Sequence, residues 1–425
     1  MLSATHRPVI EATLPVVAEH LDEITTRFYA GMFAARPELL NGMFSRANQR
    51  KGEQPKALAR SIAHFASHLV NDPDTPPATM LARVAHKHVS LGVTADQYRI
   101  VHEHLFAAIA EVLGEAVTPE VAEAWNEVYW LMADTLVDLE AGLYAQTPAR
   151  TPGDVWSRWT LSDRIESAPG TWSLLFTPTD PDLPQMPAAP GQYVSVRVPA
   201  ADGLLQCRQY TLSGAPEATS TRTITVRRDS DGEVSPVLVD GLAVGDSVEI
   251  SHPCGDLTVE TAGTRPLVLA TAGIGCTPAA AALDALRASD SRRPVLALHV
   301  DRSPEHWALA TQMTSALRAL PDARLVFWSS RLDETDLPTA GAPFAPEAPG
   351  PAPEHRPSVE LRHGRMDLAG IPVPEGAQIH LCGPDGFMQD MHRVLVARRV
   401  APEDISMEVF GPDTWTPTAR RVVPA

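Results

Sequence analysis

Cysteine is scarce in this chain of 425 residues, and the few cysteines lie far apart. No two of them form a C-x-x-C pair, so neither a zinc site nor a disulfide framework is indicated. The four are Cys207, Cys254, Cys276 and Cys382. Any metal ion must therefore be held by other means.

Long hydrophobic runs are also missing. No uninterrupted apolar run reaches the length of a membrane span. Residues 1–17 lack a charged stretch followed by a continuous apolar one, the pattern of a secretory signal. We therefore expect a soluble, cytoplasmic protein without stable membrane insertion.

Positive charge is in deficit as well. The chain has 35 Lys and Arg residues against 52 Asp and Glu, a formal net charge of −17 at pH 7. Nucleic acids and anionic membranes bind proteins through a basic face that offsets phosphate charge. We expect neither as a partner; we expect small-molecule partners and a monomer.

The chain does contain enough hydrophobic sequence, 44% of its residues, for two or three domains. From residue 11 to about 146 the periodicity is helical, without strand-like alternation. One apolar stripe consists of Val17, Leu21, Ile24 and Phe28. Segment 146–153 then has two prolines and a glycine, which mark a linker. This half is predicted to be an all-α domain, residues 1–147.

After the linker, short runs alternate apolar and polar residues with period two, between Pro and Gly turns. The runs are 191–198, 223–227 and 246–250. This texture predicts a small antiparallel β-barrel domain over residues 148–262.

A third texture begins at residue 263. Strand 266–272, loop 273–278, helix 279–288 and strand 294–300 are predicted to form a βαβ unit. Further predicted elements are helix 304–319, strands 324–329 and 377–382, helix 385–399 and strand 404–410. The natural assembly is an α/β domain with a doubly wound parallel sheet, residues 263–425. Between its elements, the proline-rich segment Thr335–Pro357 is predicted to be a mobile surface loop.

Two histidines, His86 and His88, lie two positions apart in a helical segment. That spacing is roughly 200° around a helix, so the two side chains cannot serve one site. Leu81, Val84, Ala85 and His88 fall on one apolar stripe, which turns His88 toward the interior and His86 away from it. His88 is either a core histidine or a residue with a chemical task.

Three short motifs have a chemical interpretation. Residues 273–278 read G-x-G-x-x-P, and such glycines let backbone N–H groups approach a pyrophosphate, although a plain βα turn explains them equally well. Cys382-Gly-Pro follows a later predicted strand, at the sheet edge where α/β sheets bind ligands. Arg208-Gln-Tyr-Thr offers a guanidinium for a diphosphate, an aromatic ring for a flat cofactor and a hydroxyl for its edge.

The order of these motifs resembles the ferredoxin-reductase-like module, which passes electrons from a nicotinamide to FAD. The motifs are Arg208-Gln-Tyr-Thr, Gly232-Glu-Val-Ser, Gly273-Ile-Gly-Cys-Thr-Pro, Cys382-Gly-Pro and Glu408-Val-Phe-Gly-Pro. With the helical half, the whole chain resembles a flavohemoglobin from about residue 8 to residue 412. The matching N-terminal motifs are Arg27-Phe-Tyr-Ala-Gly-Met-Phe, Pro37-Glu-Leu, Asn48-Gln-Arg-Lys-Gly-Glu-Gln, His86-Lys-His and Gln97-Tyr-Arg-Ile-Val.

The resemblance answers the question about the two histidines. It implies that His88 is the proximal ligand of haem b iron, with Tyr98 and Glu140 behind it, and gives His86 no role. On the other face it places Tyr29 over the bound gas, with Gln54 and Leu58 nearby and Phe44 against the porphyrin. Lys87 matches a haem-side lysine and is expected either to pair with a propionate or to be solvated.

For FAD, the resemblance implies contacts from Tyr193, Arg208, Gln209, Tyr210, Thr211, Val234, Ser235, Glu408, Val409, Phe410, Gly411 and Pro412. For NAD(P)H, it implies contacts from Gly273, Ile274, Gly275, Cys276, Thr277, Pro278, Cys382, Gly383 and Pro384. Cys276 stands where members often have Gln, and Thr211 where they often have Ser. The long proline-rich segment leaves the choice between NADH and NADPH open.

The implied activity is that of a nitric oxide dioxygenase, which converts NO and O2 to nitrate with electrons from NAD(P)H through FAD and haem. A flavin is needed because a two-electron donor must be split into one-electron steps for a haem. An alternative is an NAD(P)H-dependent haem oxidase or peroxide reductase. A second alternative is an oxygen-binding sensor globin with an attached reductase module, against which the intact FAD and nucleotide motifs speak.

Overall fold

The structure is a computed structural model that describes residues 1–46, 52–72, 75–148, 151–182, 184, 186–214, 220–331 and 358–410. Some sequence predictions fall outside the described residues: those for Gly411, Pro412, the segment Thr335–Pro357 and the side chain of Gln54.

The N-terminal region is helical, as its periodicity predicts. Its described helices are α1 (Arg7–Ala35), α2 (Glu53–Asn71), α3 (Ala78–Leu91), α4 (Gln97–Leu113) and α5 (Pro119–Ala145). The predicted stripe of Val17, Leu21, Ile24 and Phe28 is buried in their shared core. Helix α5 begins with Pro119 after Thr118, whose side-chain oxygen accepts a hydrogen bond from the N–H of Val121 (3.3 Å). This is a common way to satisfy a helix N-terminus.

Helix α1 packs along α2 and α4, and α3 packs along α5, whereas the described residues show no comparable packing between α2 and α3. Apolar side chains of both helices stay half-buried, among them Leu58 and Ile62 of α2 and Val84 of α3. Half-buried apolar side chains of this kind are able to contact an apolar group.

The middle of the chain is an antiparallel sheet of six strands, in the order β4-β3-β6-β1-β2-β5. The strands are β1 (Trp156–Ala168), β2 (Thr171–Pro178), β3 (Tyr193–Pro199), β4 (Leu205–Thr211), β5 (Arg222–Arg227) and β6 (Ser247–Ser251). A bridge between Leu212 and Ile224 joins the two outer strands and closes the sheet into a barrel. The predicted barrel is therefore confirmed.

The longest hairpin of the barrel, β1 with β2, had no counterpart among the predicted strands. Its pairing register shifts at Leu161/Asp163 and again at Glu166/Ala168. Such bulges break the alternation on which strand prediction depends. One of the large apolar side chains of β1, Ile165, is also 61% exposed.

The C-terminal region is a parallel sheet in the order β10-β9-β8-β7-β11-β12, which confirms the predicted doubly wound α/β fold. Its strands are β7 (Leu267–Ala272), β8 (Val295–Asp301), β9 (Ala323–Ser329), β10 (Ser358–His363), β11 (Gln378–Cys382) and β12 (Ile405–Glu408). Its described helices are α6 (Thr277–Ala288), α7 (Ala310–Ala319) and α8 (Asp385–Ala397). Strand order reverses between β7 and β11, so ligands are expected outside the carboxyl ends of these strands.

Two details of this region differ from the sequence prediction. The helix predicted over 304–319 begins only at Ala310, because Pro304 starts a short 3-10 turn and Leu309 adopts a left-handed φ of 61°. Strand β10 was not predicted; it lies at the sheet edge directly after the proline-rich segment.

In the described parts of the chain, none of the helices combines the length and apolar character needed to cross a membrane.

Candidate functional site

His88 lies on α3, where two buried polar side chains from other helices meet it. Its Nδ1 is 2.8 Å from Glu140 Oε1 on α5 and 2.9 Å from Tyr98 Oη on α4. Tyr98 donates its own hydroxyl proton to Glu140 Oε1 (2.5 Å). Since Tyr98 donates to the carboxylate, its oxygen accepts from His88, and this network assigns the imidazole proton to Nδ1.

The geometry therefore leaves Nε2 as the nitrogen with a free lone pair. Burial, followed by the neighbouring Glu140, raises the pKa of Tyr98 well above its usual value, which keeps the phenol protonated. Along the same stripe Leu81 and Ala85 are buried, whereas 29% of the His88 side chain is exposed. An imidazole with Nδ1–H on a carboxylate and an accessible Nε2 is the arrangement of a metal-ligating histidine.

A bare metal ion has no further ligands of the usual kind here. The described residues contain no group of three or more His, Cys, Asp and Glu side chains suited to one. An iron ion held by His88 would therefore need its other ligands from a cofactor that brings its own donor atoms. The residues present fit a haem.

The predicted distal residue Tyr29 contacts two aromatic rings, one of them the predicted distal residue Phe44. Tyr29 of α1 is 7% exposed, and its ring centroid lies 5.7 Å from that of Phe33 and 6.0 Å from that of Phe44. Phe44 and Leu58 are half-buried. Gln54 lies in the first turn of α2. The structure thus puts a phenol among apolar rings.

The predicted flavin residues of the barrel lie on two paired strands. Tyr193 of β3 pairs with Thr211 of β4, and Gln209 donates from Nε2 to Ser195 Oγ (2.9 Å). Arg208 is half-buried and donates from Nη1 to the carbonyl of Cys207 (2.7 Å). The half-buried Tyr210 packs against the barrel core. These side chains therefore belong to one strand pair.

Val234 and Ser235 are placed differently from the other predicted flavin residues. The Val234 side chain is 1% exposed, inside the barrel core. Ser235 Oγ accepts a hydrogen bond from the backbone N–H of Asp229 (3.0 Å) and so closes its own loop. A contact with a flavin is thus left to the backbone atoms of Val234, whereas the Ser235 hydroxyl retains a proton to donate.

The two predicted nucleotide loops touch each other at the switch point of the sheet. Gly273–Cys276 forms a 3-10 turn after β7, and Thr277 and Pro278 begin α6. A Cβ atom on Gly275 would lie 2.4 Å from the carbonyl oxygen of Cys382, so only glycine permits this approach. The turn therefore presents backbone N–H groups at a helix N-terminus.

Other members of these loops contribute packing. Cys276 is fully buried, donates from Sγ to the carbonyl of Ala308 (3.2 Å), and burial raises the pKa of its thiol. The Cys382 side chain is likewise buried, and Gly383 lies against Ala272. Pro384 precedes α8 as its N-cap. Ile274 is half-buried beside the sheet core.

The end of β12 brings a buried carboxylate to the same sheet edge. Glu408 Oε1 accepts from Thr211 Oγ1 (3.4 Å), and its Oε2 is 3.6 Å from His380 Nε2. Burial raises the pKa of Glu408. Among the described residues, neither Glu408 Oε2 nor His380 Nε2 has a hydrogen-bond partner. Orphaned buried polar atoms at a ligand-binding edge are what a bound molecule would satisfy.

The two residues after Glu408 are increasingly exposed to solvent. Val409 is half-buried against the sheet core, whereas Phe410 is 46% exposed. An aromatic ring left open beside a buried carboxylate is suited to cover a planar ligand.

Sequence reasoning missed two contributions. Arg227, the last residue of β5, lies beside Gly273: a Cβ on this glycine would be 3.4 Å from Arg227 Nη1. Nothing in the sequence places β5 near that loop. The second is the outer face of α3, where Arg83, His86 and Ser90 recur at helical spacing and contact the other domains. The sequence shows that these three residues share one helix face, but it does not show the groups that they contact.

His86 thus turns away from the core as predicted, yet it has a partner. Its Nδ1 accepts a hydrogen bond from the N–H of Gly255 in the barrel (3.1 Å). Burial lowers the pKa of His86, against the opposing charge of Asp256. Lys87, between the two histidines, is half-buried and lies close to the barrel. Its positive charge acts on the barrel residue Cys207: burial raises the pKa of that thiol to about 11, and the charges of Arg208, Arg197 and Lys87 oppose the rise.

Two family models match the chain. The Globin model matches residues 26–136, within the helical region. The model described as an oxidoreductase FAD-binding domain matches residues 173–259, within the barrel.

Curated relatives span nearly the whole chain. A flavohemoprotein of Bordetella pertussis is 36% identical, covering 97% of this chain and 99% of that protein. A flavohemoprotein of Chromobacterium violaceum is 38% identical, covering 97% of this chain and 98% of that protein. A third, from Rhizobium meliloti, is 34% identical over 98% of this chain and 100% of that protein.

Solved structures give the same picture. The crystal structure of flavohemoglobin from Malassezia yamatoensis with bound FAD and heme has a TM-score of 0.86 at 39% identity, covering 96% of this chain and 100% of that one. The FAD/NAD-binding domain of nitric oxide dioxygenase from Vibrio cholerae has a TM-score of 0.50 at 27% identity, covering 60% of this chain and 99% of that one.

Proposed function

The chain belongs to the flavohemoprotein family, and from that premise we propose that it is a nitric oxide dioxygenase, which converts NO and O2 to nitrate with electrons from NAD(P)H. At a coarser level it is an oxidoreductase with a haem-binding globin domain and a reductase module for FAD and NAD(P)H. We propose that it acts in the cytoplasm, where reduced nucleotide is available.

The cofactors and the residues divide the work. Haem supplies an iron centre for O2 chemistry, and FAD converts the two-electron supply of the nucleotide into one-electron steps. The observation that carries the proposal is the set of contacts among His88, Tyr98 and Glu140. A carboxylate that holds the Nδ1 proton makes the imidazole a stronger electron donor through Nε2, which favours activation of O2 over storage.

On the distal side, the Tyr29 hydroxyl is proposed to donate a hydrogen bond toward negative charge that develops on the bound gas. Gln54 is proposed to assist it, and Phe44 to hold the macrocycle in place. Lys87 is proposed to offer its ammonium group to an acidic edge of the same cofactor.

In the reductase module, Tyr193, Arg208–Thr211 and Glu408–Phe410 are proposed to bind and orient the flavin. The N–H groups of Gly273–Thr277 are proposed to hold the nucleotide diphosphate, with the ring of Pro278 against it and the Arg227 guanidinium beside it. Residues 382–384 are proposed to receive the nicotinamide end, next to Glu408 and His380.

One feature also favours a second function. An anionic partner behind a proximal histidine promotes cleavage of O–O bonds in general, so reduction of alkyl hydroperoxides is a second candidate activity. The two activities consume electrons differently: one NO takes one electron on its way to nitrate, whereas one peroxide takes two.

The test is the ratio of product to nucleotide. Purified protein loaded with haem and FAD is supplied with NAD(P)H, O2 and either NO or cumene hydroperoxide. The dioxygenase predicts two nitrate ions per nucleotide, because a hydride carries two electrons, and faster turnover with NO than with the hydroperoxide. Nucleotide oxidation without nitrate, or faster turnover with the hydroperoxide, would select the second activity.

A further inference from the structure

Helix α3 has two functional faces, and only one of them bears His88. The opposite face carries Arg83, His86 and Ser90, which contact the barrel and the parallel sheet; we call these three residues the docking face. We infer that the docking face, and His86 above all, is a positioning device that fixes the haem-bearing helix against the flavin site and thereby sets the rate of electron transfer between the two. This inference rests on the proposed function.

His86 acts on the segment that supports Tyr193. Its Nδ1 accepts the N–H of Gly255 (3.1 Å), a residue with φ of 130° that a side chain would strain. A Cβ on Gly255 would lie 3.4 Å from ring atoms of Tyr193, so the glycine backbone lies flat against this ring. The next residue back, Cys254, exchanges two backbone hydrogen bonds of 2.8 Å with Tyr193. Holding Gly255 therefore holds Tyr193, the residue proposed to contact the flavin.

Ser90 makes a second connection, one helical turn further along. Its Oγ is 2.9 Å from Ser195 Oγ, and both serines are fully buried. Ser195 also accepts from Gln209 Nε2 (2.9 Å). The hydrogen bonds thus run from α3 through β3 to β4, the strand that carries Arg208–Thr211.

Arg83 makes the third connection, to the parallel sheet. Its Nη2 donates to the carbonyl of Met407 (3.2 Å), and its Nε is 3.9 Å from Asp256 Oδ1. Met407 immediately precedes Glu408. A single helix therefore ties His88 to two parts of the proposed flavin site, the barrel strands β3 and β4 and the end of β12.

This arrangement matters because electron transfer depends steeply on distance. One electron leaves the reduced flavin and converts ferric iron to ferrous iron, and NAD(P)H replaces the electrons. No atom moves between the two cofactors, so the rate depends on how the domains are held. Misplacement of reacting atoms can cost an enzyme about a hundredfold in rate, and we expect a smaller loss here because only an electron is transferred.

Loss of His86 is expected to shift α3 without separating the domains. The segment 41–46 anchors the helical domain on the barrel independently: Leu205 donates its N–H to Asn41 Oδ1 (2.8 Å), Gly42 donates to the Leu205 carbonyl (2.9 Å), and Arg46 forms an ion pair with Asp202. The His86→Ala variant should therefore fold, which its haem content and thermal unfolding will check.

The experiment follows haem and flavin separately in anaerobic stopped-flow mixing of the holoprotein with NADH or NADPH, without NO. We expect His86→Ala to leave flavin bleaching unchanged and to slow haem reduction about tenfold or more. His86→Gln should restore the rate to within about twofold of the original, because the amide oxygen can accept from Gly255. Ser90→Ala should slow haem reduction less. His20→Ala is the control, since His20 Nδ1 bonds only to the carbonyl of Val16 in its own helix among the described residues.

A second readout does not depend on electron flow. The Gly255 amide hydrogen should exchange slowly with solvent in the original protein and in His86→Gln, and faster in His86→Ala. Haem reduction at the original rate in both His86→Ala and Ser90→Ala would overturn this inference and leave the proposed function untouched. So would a slowed His86→Ala that His86→Gln fails to restore. If the haem of the unaltered protein stays ferric, the proposed function falls and the inference falls with it.

Discussion

The polar groups behind His88 bond to one another, whereas two buried polar atoms beside Glu408 make no hydrogen bond within the described residues. Glu140 Oε1 receives hydrogen bonds from both His88 and Tyr98, and three helices supply the three residues. At the edge of the parallel sheet, by contrast, Glu408 Oε2 and His380 Nε2 have no hydrogen-bond partner among the described residues. Leaving a buried polar atom without a hydrogen bond costs about 1–3 kcal/mol, and the ligand proposed for this edge would lower that cost. The first site orients an imidazole, and the second is proposed to bind a ligand.

The largest expected effect comes from a substitution that removes the His88 site and leaves the Glu408 site intact. His88→Ala deletes the only side chain proposed to ligate iron, so haem retention should be lost while NAD(P)H still bleaches the flavin. Absorbance of the purified variant measures both, with His20→Ala as the control. A normal haem spectrum in His88→Ala would remove His88 from the ligand role.

The reverse experiment damages the nucleotide loops and spares the haem. In Gly275→Val the new side chain would have to displace the carbonyl of Cys382, so the two loops separate. Nucleotide oxidation with ferricyanide as acceptor should fall about a hundredfold, with an unchanged haem spectrum. Gly386→Ala is the matched control, because its Cβ would meet nothing within 4 Å. Equal loss in both variants would place the defect outside the loops.

A subtler change tests why the His88 site contains a charge. Glu140→Gln keeps an oxygen for the Nδ1 proton and removes the negative charge. Replacing such an outer partner of a ligating histidine typically costs about 10–100-fold in activity, so NO consumption should fall by that factor while haem stays bound. The iron–histidine stretching frequency should fall with it. Glu123→Gln, an exposed residue of the same helix, is the control. Unchanged turnover and frequency in Glu140→Gln would reduce Glu140 to a packing role.

The smallest expected effect is on the stability of the protein, through the protonation of Glu408. Burial raises the pKa of Glu408 above the ordinary value of 4.5, so the folded state binds this proton more tightly than the unfolded state. Its favourable contribution to unfolding free energy is complete below pH 4.5 and is lost as pH rises to the raised pKa.

The check is thermal unfolding across acidic to neutral pH, without added nucleotide. Glu408→Gln should match the original protein at acidic pH and exceed it in Tm as pH rises. Glu403→Gln, exposed in the same segment, should show no such divergence. If the Tm of Glu408→Gln differed from that of the original protein by the same amount at every pH, the claim that folding favours the uncharged carboxyl of Glu408 would be wrong.

The sequence predicts more of the fold than of the sites. Periodicity alone identified the buried stripe of α1 and the inward turn of His88, because a helix repeats every 3.6 residues wherever it lies. Tyr98 and Glu140 came only from the family resemblance, since 10 and 52 residues of chain separate them from His88. Their meeting is decided by how α3, α4 and α5 pack.

The errors have local causes. Bulges broke the alternation of β1, and a left-handed residue at Leu309 delayed a helix that composition favoured. The role of His86 was invisible for another reason. Its partner is the backbone N–H of Gly255, 169 residues away, and a backbone donor leaves no signature in side-chain sequence.

The central claim is a continuous electron path from nucleotide through flavin to haem that serves NO removal. The most direct test is an anaerobic absorbance spectrum of the haem- and FAD-loaded protein, before and after NADH or NADPH and then after O2 with NO. The account predicts flavin bleaching, then the Soret shift of ferrous haem, then return to the ferric spectrum with nitrate formed. A haem that stays ferric while the flavin is fully reduced would contradict it.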